Sequence, residues 1–231
     1  MGKSRALLII TSLVLGVFVV GAVLVVLLKR SSDGATRVAG TVTSVEVYSE
    51  RGAATVRAGA PGDATVSWHS SWILSRPRVT TGLQDGVLRV RVTCPGWSFV
   101  SCSSDVVVTV PPAALVNAKT VRGRLDVEGI TGDTVALSED GDVVLRGGPT
   151  TLRTASVTGT VDVRLSAVPR KVEIRTETHN IHLELPSAAY ALTATSTRGH
   201  VRLAGVANAP DSPNHVSVSS GAGNVEVLVA H

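Results

Sequence analysis

Along the second half of the chain a polar turn, usually built on glycine, is followed by two apolar residues separated by one. The phrase reads Gly123-Arg-Leu125-Asp-Val127, Gly141-Asp-Val143-Val-Leu145, Gly159-Thr-Val161-Asp-Val163, His179-Asn-Ile181-His-Leu183, Gly199-His-Val201-Arg-Leu203 and Gly223-Asn-Val225-Glu-Val227. Successive turns are 18, 18, 20, 20 and 24 residues apart, a period at which one supersecondary unit stacks on copies of itself. A second pair precedes each turn: Val116 and Ala118, Val135 and Leu137, Leu152 and Thr154, Val172 and Ile174, Leu192 and Ala194, Val216 and Val218. These lie seven and five residues before the turn residue, except Val135 and Leu137, which are one residue closer. Alternation on both sides of a turn predicts two short strands per coil, with these residues inward and coils about 4.8 Å apart.

Earlier in the chain Thr43, Val45 and Val47, Leu88, Val90 and Val92, and Val106, Val108 and Val110 alternate in the same way. The predicted fold is all-β, a β-solenoid or single-stranded β-helix-like coiled sheet. The alternative is a sandwich or meander with hairpins at the same glycines. The two-residue loops that mark hairpins are rare among the repeat turns, Asp140-Gly141 being the exception, while Asp85-Gly86 ahead of the repeats is a candidate for a local hairpin.

One segment breaks the alternation. Residues 6–28 carry no charge and, as a helix, would extend roughly 35 Å, enough to cross the hydrocarbon core. Lys3 and Arg5 precede the run, and Lys29 and Arg30 follow it. The rival is a signal peptide cleaved after Val20-Gly-Ala22, but the apolar run continues for six residues beyond Ala22. The expected organisation is a short cytoplasmic N-terminus at 1–5, a transmembrane signal anchor at 6–28, a flexible tether at 29–40 and an extracytoplasmic β-solenoid domain at 41–231. The membrane is thus the one partner expected from composition.

Charge adds an exclusion. The chain has 22 Lys plus Arg and 18 Asp plus Glu, and residues 1–30 hold four of the bases and none of the acids. The remainder is balanced, so no clustered basic face argues for nucleic acid. Cys94 and Cys102 are the only cysteines, too far apart for a CxxC redox site and too few for a structural zinc. A disulfide between them would place the domain in an oxidising compartment outside the cytoplasmic membrane. The alternative is a pair of small buried thiols.

Several phrases together resemble a known family: Val108-Thr-Val110-Pro-Pro-Ala-Ala, Cys94-Pro with Cys102, the repeated Gly-x-Val-x-Val, and Leu185-Pro-Ser-Ala-Ala-Tyr190-Ala-Leu-Thr-Ala. Over residues 41–229 the chain is similar to the bacterial putative-adhesin domain of unknown function, also called toastrack. The resemblance implies a β-helical or coiled-sheet domain on membrane-anchored envelope proteins, akin to those of LiaF-like envelope-stress systems. The turns depart from the family's usual Ser-Gly-Asp, with only Asp140-Gly141-Asp142 close to it and His179 in place of one glycine. The family carries no established active site, so it implies no catalytic residue.

Candidate chemistry is sparse, and no cofactor is expected. No GxSxG, HExxH, P-loop or CxxC is present. His179, His182 and His200 form the one plausible metal cluster, but residues three apart on a strand face opposite sides, and solvated polar residues are the preferred reading. Glu139, Asp140 and Asp142 read as a solvated acidic turn rather than a Ca²⁺ site. Trp68, Trp72, Trp97 and Phe99 are four of the six aromatics outside the membrane run. They read either as a cap over the first coil or as an anchor for a protein or glycan partner of the cell envelope. The functional expectation is a non-enzymatic interaction or scaffold module, in adhesion or envelope stress. The rival is a glycan-active β-helix enzyme, either a polysaccharide lyase or a hydrolase, and the oligomeric state is left open.

Overall fold

The computed structural model describes residues 28–62, 64–95 and 101–229. Strands account for nearly all of the order. The first half comprises β1 (Arg30–Val38), β2 (Ser44–Arg51), β3 (Ala54–Ala58), β4 (Ala64–Trp72), β5 (Arg78–Gln84), β6 (Val87–Thr93) and β7 (Cys102–Val110). There follow β8 (Leu115–Arg122), β9 (Leu125–Glu128), β10 (Thr134–Asp140), β11 (Val143–Gly147), β12 (Thr151–Thr158), β13 (Val161–Leu165), β14 (Lys171–Thr176) and β15 (Ile181–Leu185). The last four are β16 (Ala191–Ser196), β17 (Val201–Ala204), β18 (His215–Ser220) and β19 (Val225–Val229). Among the described residues no helix is long and apolar enough to cross a membrane, and the predicted span at 6–28 lies outside them save for Leu28.

The strands form two sheets, ordered β1-β4-β7-β3-β9-β11-β13-β15-β19-β17 and β16-β18-β14-β12-β10-β8-β2-β6-β5. From β8 onward each coil contributes one strand to each sheet, and coils pair in parallel, turn over turn. Only β1 with β4, β4 with β7 and β5 with β6 are antiparallel. The β5–β6 hairpin closes through Asp85 and Gly86, both at positive φ (52° and 77°), the backbone a two-residue primed turn requires.

Inward residues of both sheets meet in one apolar core that runs through Val45, Val56, Val116, Leu125, Leu152, Val163, Ile174, Leu183 and Val227. The predicted inward positions hold with two corrections, the first being Val201 and Leu203 of β17, which are 41% and 48% exposed because among the described residues no coil lies beyond theirs to cover them. The second is in β10, where Val135 and Leu137 face outward, and Thr134, Ala136 and Ser138 are buried instead, opposite Val116, Ala118 and Thr120 of β8. The spacing of seven and five residues before the turn is therefore kept in this coil as well. A one-residue slip would turn every inward side chain of the strand to the other face, and in-register pairing on both sides forbids it.

The corner turns explain the glycines. A Cβ on Gly123, Gly141, Gly159, Gly199 or Gly223 would collide with the backbone carbonyl of the corner stacked against it. Three residues before each turn a hydroxyl side chain points inward: Ser49, Thr120, Ser138, Ser156, Thr176, Ser196 and Ser220. Ser156 donates to the Gly141 carbonyl at 3.0 Å, Thr176 to that of Gly159 at 3.3 Å, and Ser196 to that of Gly223 at 2.7 Å. Buried carbonyls at a tight corner need such partners, and this hydroxyl column supplies them.

Two further expectations are corrected. The segment 29–40, read as a flexible tether, forms β1 over residues 30–38, in full antiparallel register with β4. Its small residues admit a neighbour's bulk: Gly34 lies opposite Trp68, and a Cβ there would overlap the indole. The coils are also not stacked in chain order. The β18–β19 coil is inserted between β14–β15 and β16–β17, and β2–β3 lies between β6–β7 and β8–β9. The β19 edge is thus covered by a segment earlier in the chain.

Candidate functional site

The outer columns carry charge in short ladders. Arg164 pairs with Asp162 at 3.7 Å and with Glu184 at 3.5 Å, and Lys119 with Glu139 at 2.7 Å across two coils. The Glu139 carboxylate raises the Lys119 pKa, chiefly through the hydrogen bond it accepts. At the far end Glu226 lies 3.1 Å from His182 on one side and 3.0 Å from Arg202 on the other. The insertion of β19 accounts for this. Serial stacking would have set His182 beside Arg202, whereas the observed order puts an acid between two bases.

The same order dissolves the histidine cluster. His179 occupies a corner with its ring against the Thr178 hydroxyl at 2.7 Å, His182 points outward to Glu226, and His200 belongs to a coil two places away. The acidic turn is used within the fold. Asp140 accepts the Thr158 hydroxyl at 3.0 Å, and Asp142 accepts the Thr160 N–H at 2.8 Å. Asn180 and Asn224 continue this pattern, Asn180 accepting the Asn224 N–H and Asn224 that of His200. Among the described residues, no group of three or more His, Cys, Asp or Glu is placed to hold a metal ion.

The predicted aromatic site falls at the N-terminal end of the stack, where β1 and β4 extend one sheet and β5 the other. Trp68 packs against the core with Val38, Val79 and Leu83, closing its end. Trp72, four residues on, lies opposite Arg30 of β1 and Cys102 of β7. The Arg76 guanidinium stacks 5.2 Å from the Trp72 ring centroid and donates to the Ser32 hydroxyl at 3.2 Å. A cleft of about 340 Å³ opens here, lined by Trp68, Ser70, Arg76, Pro77, Arg78 and Val79. Trp97 and Phe99 lie outside the described residues.

Cys94 and Cys102 are joined in a disulfide with a Cα–Cα distance of 6.1 Å. The bridge links the end of β6 to the start of β7, at the corner where other coils turn on glycine. Two features of this end escape the sequence patterns. One is the arginine pair at 76 and 78, which lies in no motif. The other is the contact of His69 with Asp33 at 2.6 Å, which depends on β1 being a strand.

No family model and no curated protein matches the chain. Solved structures do. A putative cell adhesion protein from Clostridium sporogenes is 13% identical, with a TM-score of 0.55 over 87% of this chain and 100% of its own. A putative adhesin from Bacteroides fragilis is 13% identical, with a TM-score of 0.49 over 86% of this chain and 97% of its own. At such identities the first of these likenesses is one of fold. At that level the resemblance to putative adhesins is shown.

Proposed function

We propose that the chain is a membrane-anchored, extracytoplasmic β-solenoid that acts by contact, as an adhesin-like interaction or scaffold module without bond chemistry. The observation that carries this reading is the filled interior. The core residues of both sheets fill the interior from the N-terminal end through the β18–β19 coil, with Val201 and Leu203 of the outermost coil left exposed, so a partner is met on corners, outer columns or ends. The shared fold with a putative cell adhesion protein supports the same reading. The disulfide supports placement in an oxidising compartment.

A glycan-active enzyme is the second reading, and Asp140 and Asp142 are its natural acids. Their hydrogen bonds to the neighbouring coil favour a structural role. The full-length chain in vesicles should bind envelope polysaccharide or whole cells without generating new reducing ends or unsaturated sugars. Turnover that disappears in Asp140→Asn and Asp142→Asn would replace the contact reading with the enzymatic one.

A further inference from the structure

We propose that the corner formed by Arg30, Trp72, Arg76 and Arg78 docks on anionic phospholipid headgroups of the membrane that residues 6–28 cross, fixing the attitude of the stack to the bilayer. This rests on the anchored reading above and adds a second point of attachment.

The correction at residues 30–38 is the starting point. The apolar run ends at Leu28 and β1 begins at Arg30, so only Lys29 intervenes. Two extended residues reach about 7 Å. The headgroup layer flanking the hydrocarbon core is itself about 5–7 Å deep on each side. If residues 6–28 span the membrane, Arg30 lies within that layer. Trp72 is its register partner on the adjacent strand, about 5 Å away. The Arg76 guanidinium covers the Trp72 ring and is tied to Ser32, two residues beyond Arg30 on β1, so it is held within about 7 Å of the depth of Arg30. Arg78 lines the same cleft as Arg76.

The chemistry of the corner fits an anionic interface. Tryptophan and arginine are the side chains that partition to headgroup level, the ring on its apolar side and the guanidinium toward phosphate. Elsewhere on the stack Arg57, Arg89, Arg124, Arg164, Arg175 and Arg202 are each paired with a carboxylate, while among the described residues single arginines such as Arg146 and Arg153 are not. Among the described residues, Arg30, Arg76 and Arg78 have no such partner, and the nearby Asp33 is taken by His69. The corner is also braced. Cys102 pairs with Trp72, and Ile73 donates its N–H to the Ser101 carbonyl at 3.1 Å beside the disulfide. A flexible tether would have uncoupled the stack from the bilayer, whereas a strand that starts in the headgroup layer does not.

Intrinsic fluorescence can be confined to this end of the molecule, because Trp68 and Trp72 lie here and the remaining tryptophan, Trp97, can be replaced. Trp97→Phe leaves Trp68 and Trp72 as the reporters. That variant of the full chain, in phosphatidylcholine vesicles with or without phosphatidylglycerol, should be quenched by a headgroup-level nitroxide lipid at least twice as strongly when the anionic lipid is present. Salt should reduce the difference. Arg76→Glu with Arg78→Glu should abolish it, while Arg76→Lys with Arg78→Lys should keep part of it, with circular dichroism unchanged in both. Equal quenching in the two lipid compositions, or no effect of the glutamate variant, overturns the docking. So does a response to soluble polygalacturonate in place of the anionic lipid, which would make the corner a glycan site. Carbonate extraction is the separate arm. A chain washed off by carbonate defeats the anchored reading itself, whereas a chain that resists extraction yet shows equal quenching defeats only the docking.

Discussion

At each corner of the stack the carbonyl of one coil occupies the space that a side chain on the next would need. Gly159→Ala should therefore lower stability by about 1–3 kcal/mol, because its new methyl meets the Gly141 carbonyl, a backbone atom that cannot swing aside. Gly82, with nothing near its would-be Cβ, is the internal control, and Gly82→Ala should stay within about 0.5 kcal/mol of the parent in chemical denaturation. Tyr190 makes the second case at this scale. Its ring is fully buried and its hydroxyl donates to the Pro186 carbonyl at 2.8 Å, so Tyr190→Phe should cost about 1 kcal/mol. Burial raises the Tyr190 pKa above the ordinary 10.0. The unfolded phenol thus ionises first on going alkaline. The stabilisation is complete below the unfolded pKa and is lost as pH rises toward the folded one. A melting series across that range should show the fall in the parent and a shallower one in Tyr190→Phe.

Within an element, facing decides what a residue tolerates. In β10 the pair Ala136 and Leu137 inverts the usual inference from hydropathy, since the small residue is buried and the large one is on the outer face. Ala136→Asp should destabilise by roughly 3 kcal/mol or more, as should Val161→Asp and Ile181→Asp, because each sets an unpaired charge in the dry core. Leu137→Asp should be far milder, and equal losses at 136 and 137 in thermal melts would contradict the register. The β10 inward triad was legible in the sequence, for Thr134 and Ala136 keep the spacing of every other coil. Val135 and Leu137 are the bulkier apolar pair, and hydropathy alone selects them. The hydroxyl column from Ser49 to Ser220 was legible too, but a search for apolar periodicity passes over serine and threonine. Gly52, with Val45 and Val47 before it and Ala54 and Val56 after it, makes a further coil of the same grammar, separated from the rest by β4 to β7. β1 was not legible, because among its inward residues only Thr36 and Val38 have any β character and the rest is supplied by β4.

For the molecule as a whole, the staple at Cys94 and Cys102 closes a loop worth roughly 2.6 kcal/mol in the chain-entropy model. Reduction should lower the melting temperature by the corresponding amount, and the native chain in cells should resist alkylation until reduced. The order of the coils is the part of the fold that no single repeat reveals. Every coil offers its neighbours the same apolar rungs, so hydrophobic periodicity permits any order, and only side chains such as His182, Glu226 and Arg202 discriminate. The candidate site shares this property: Trp68 and Trp72 stand out in the sequence, but Arg30 and Arg76 join Trp72 only once β1 lies along β4 and the chain has turned into β5. The inserted coil has a temporal consequence. β16 and β17 leave the ribosome before β18 and β19, yet they pair with nothing else in their sheets. The outermost rung therefore has no native neighbour until the segment made after it is in place beneath it, so the native pairing at this end is completed out of the order of synthesis.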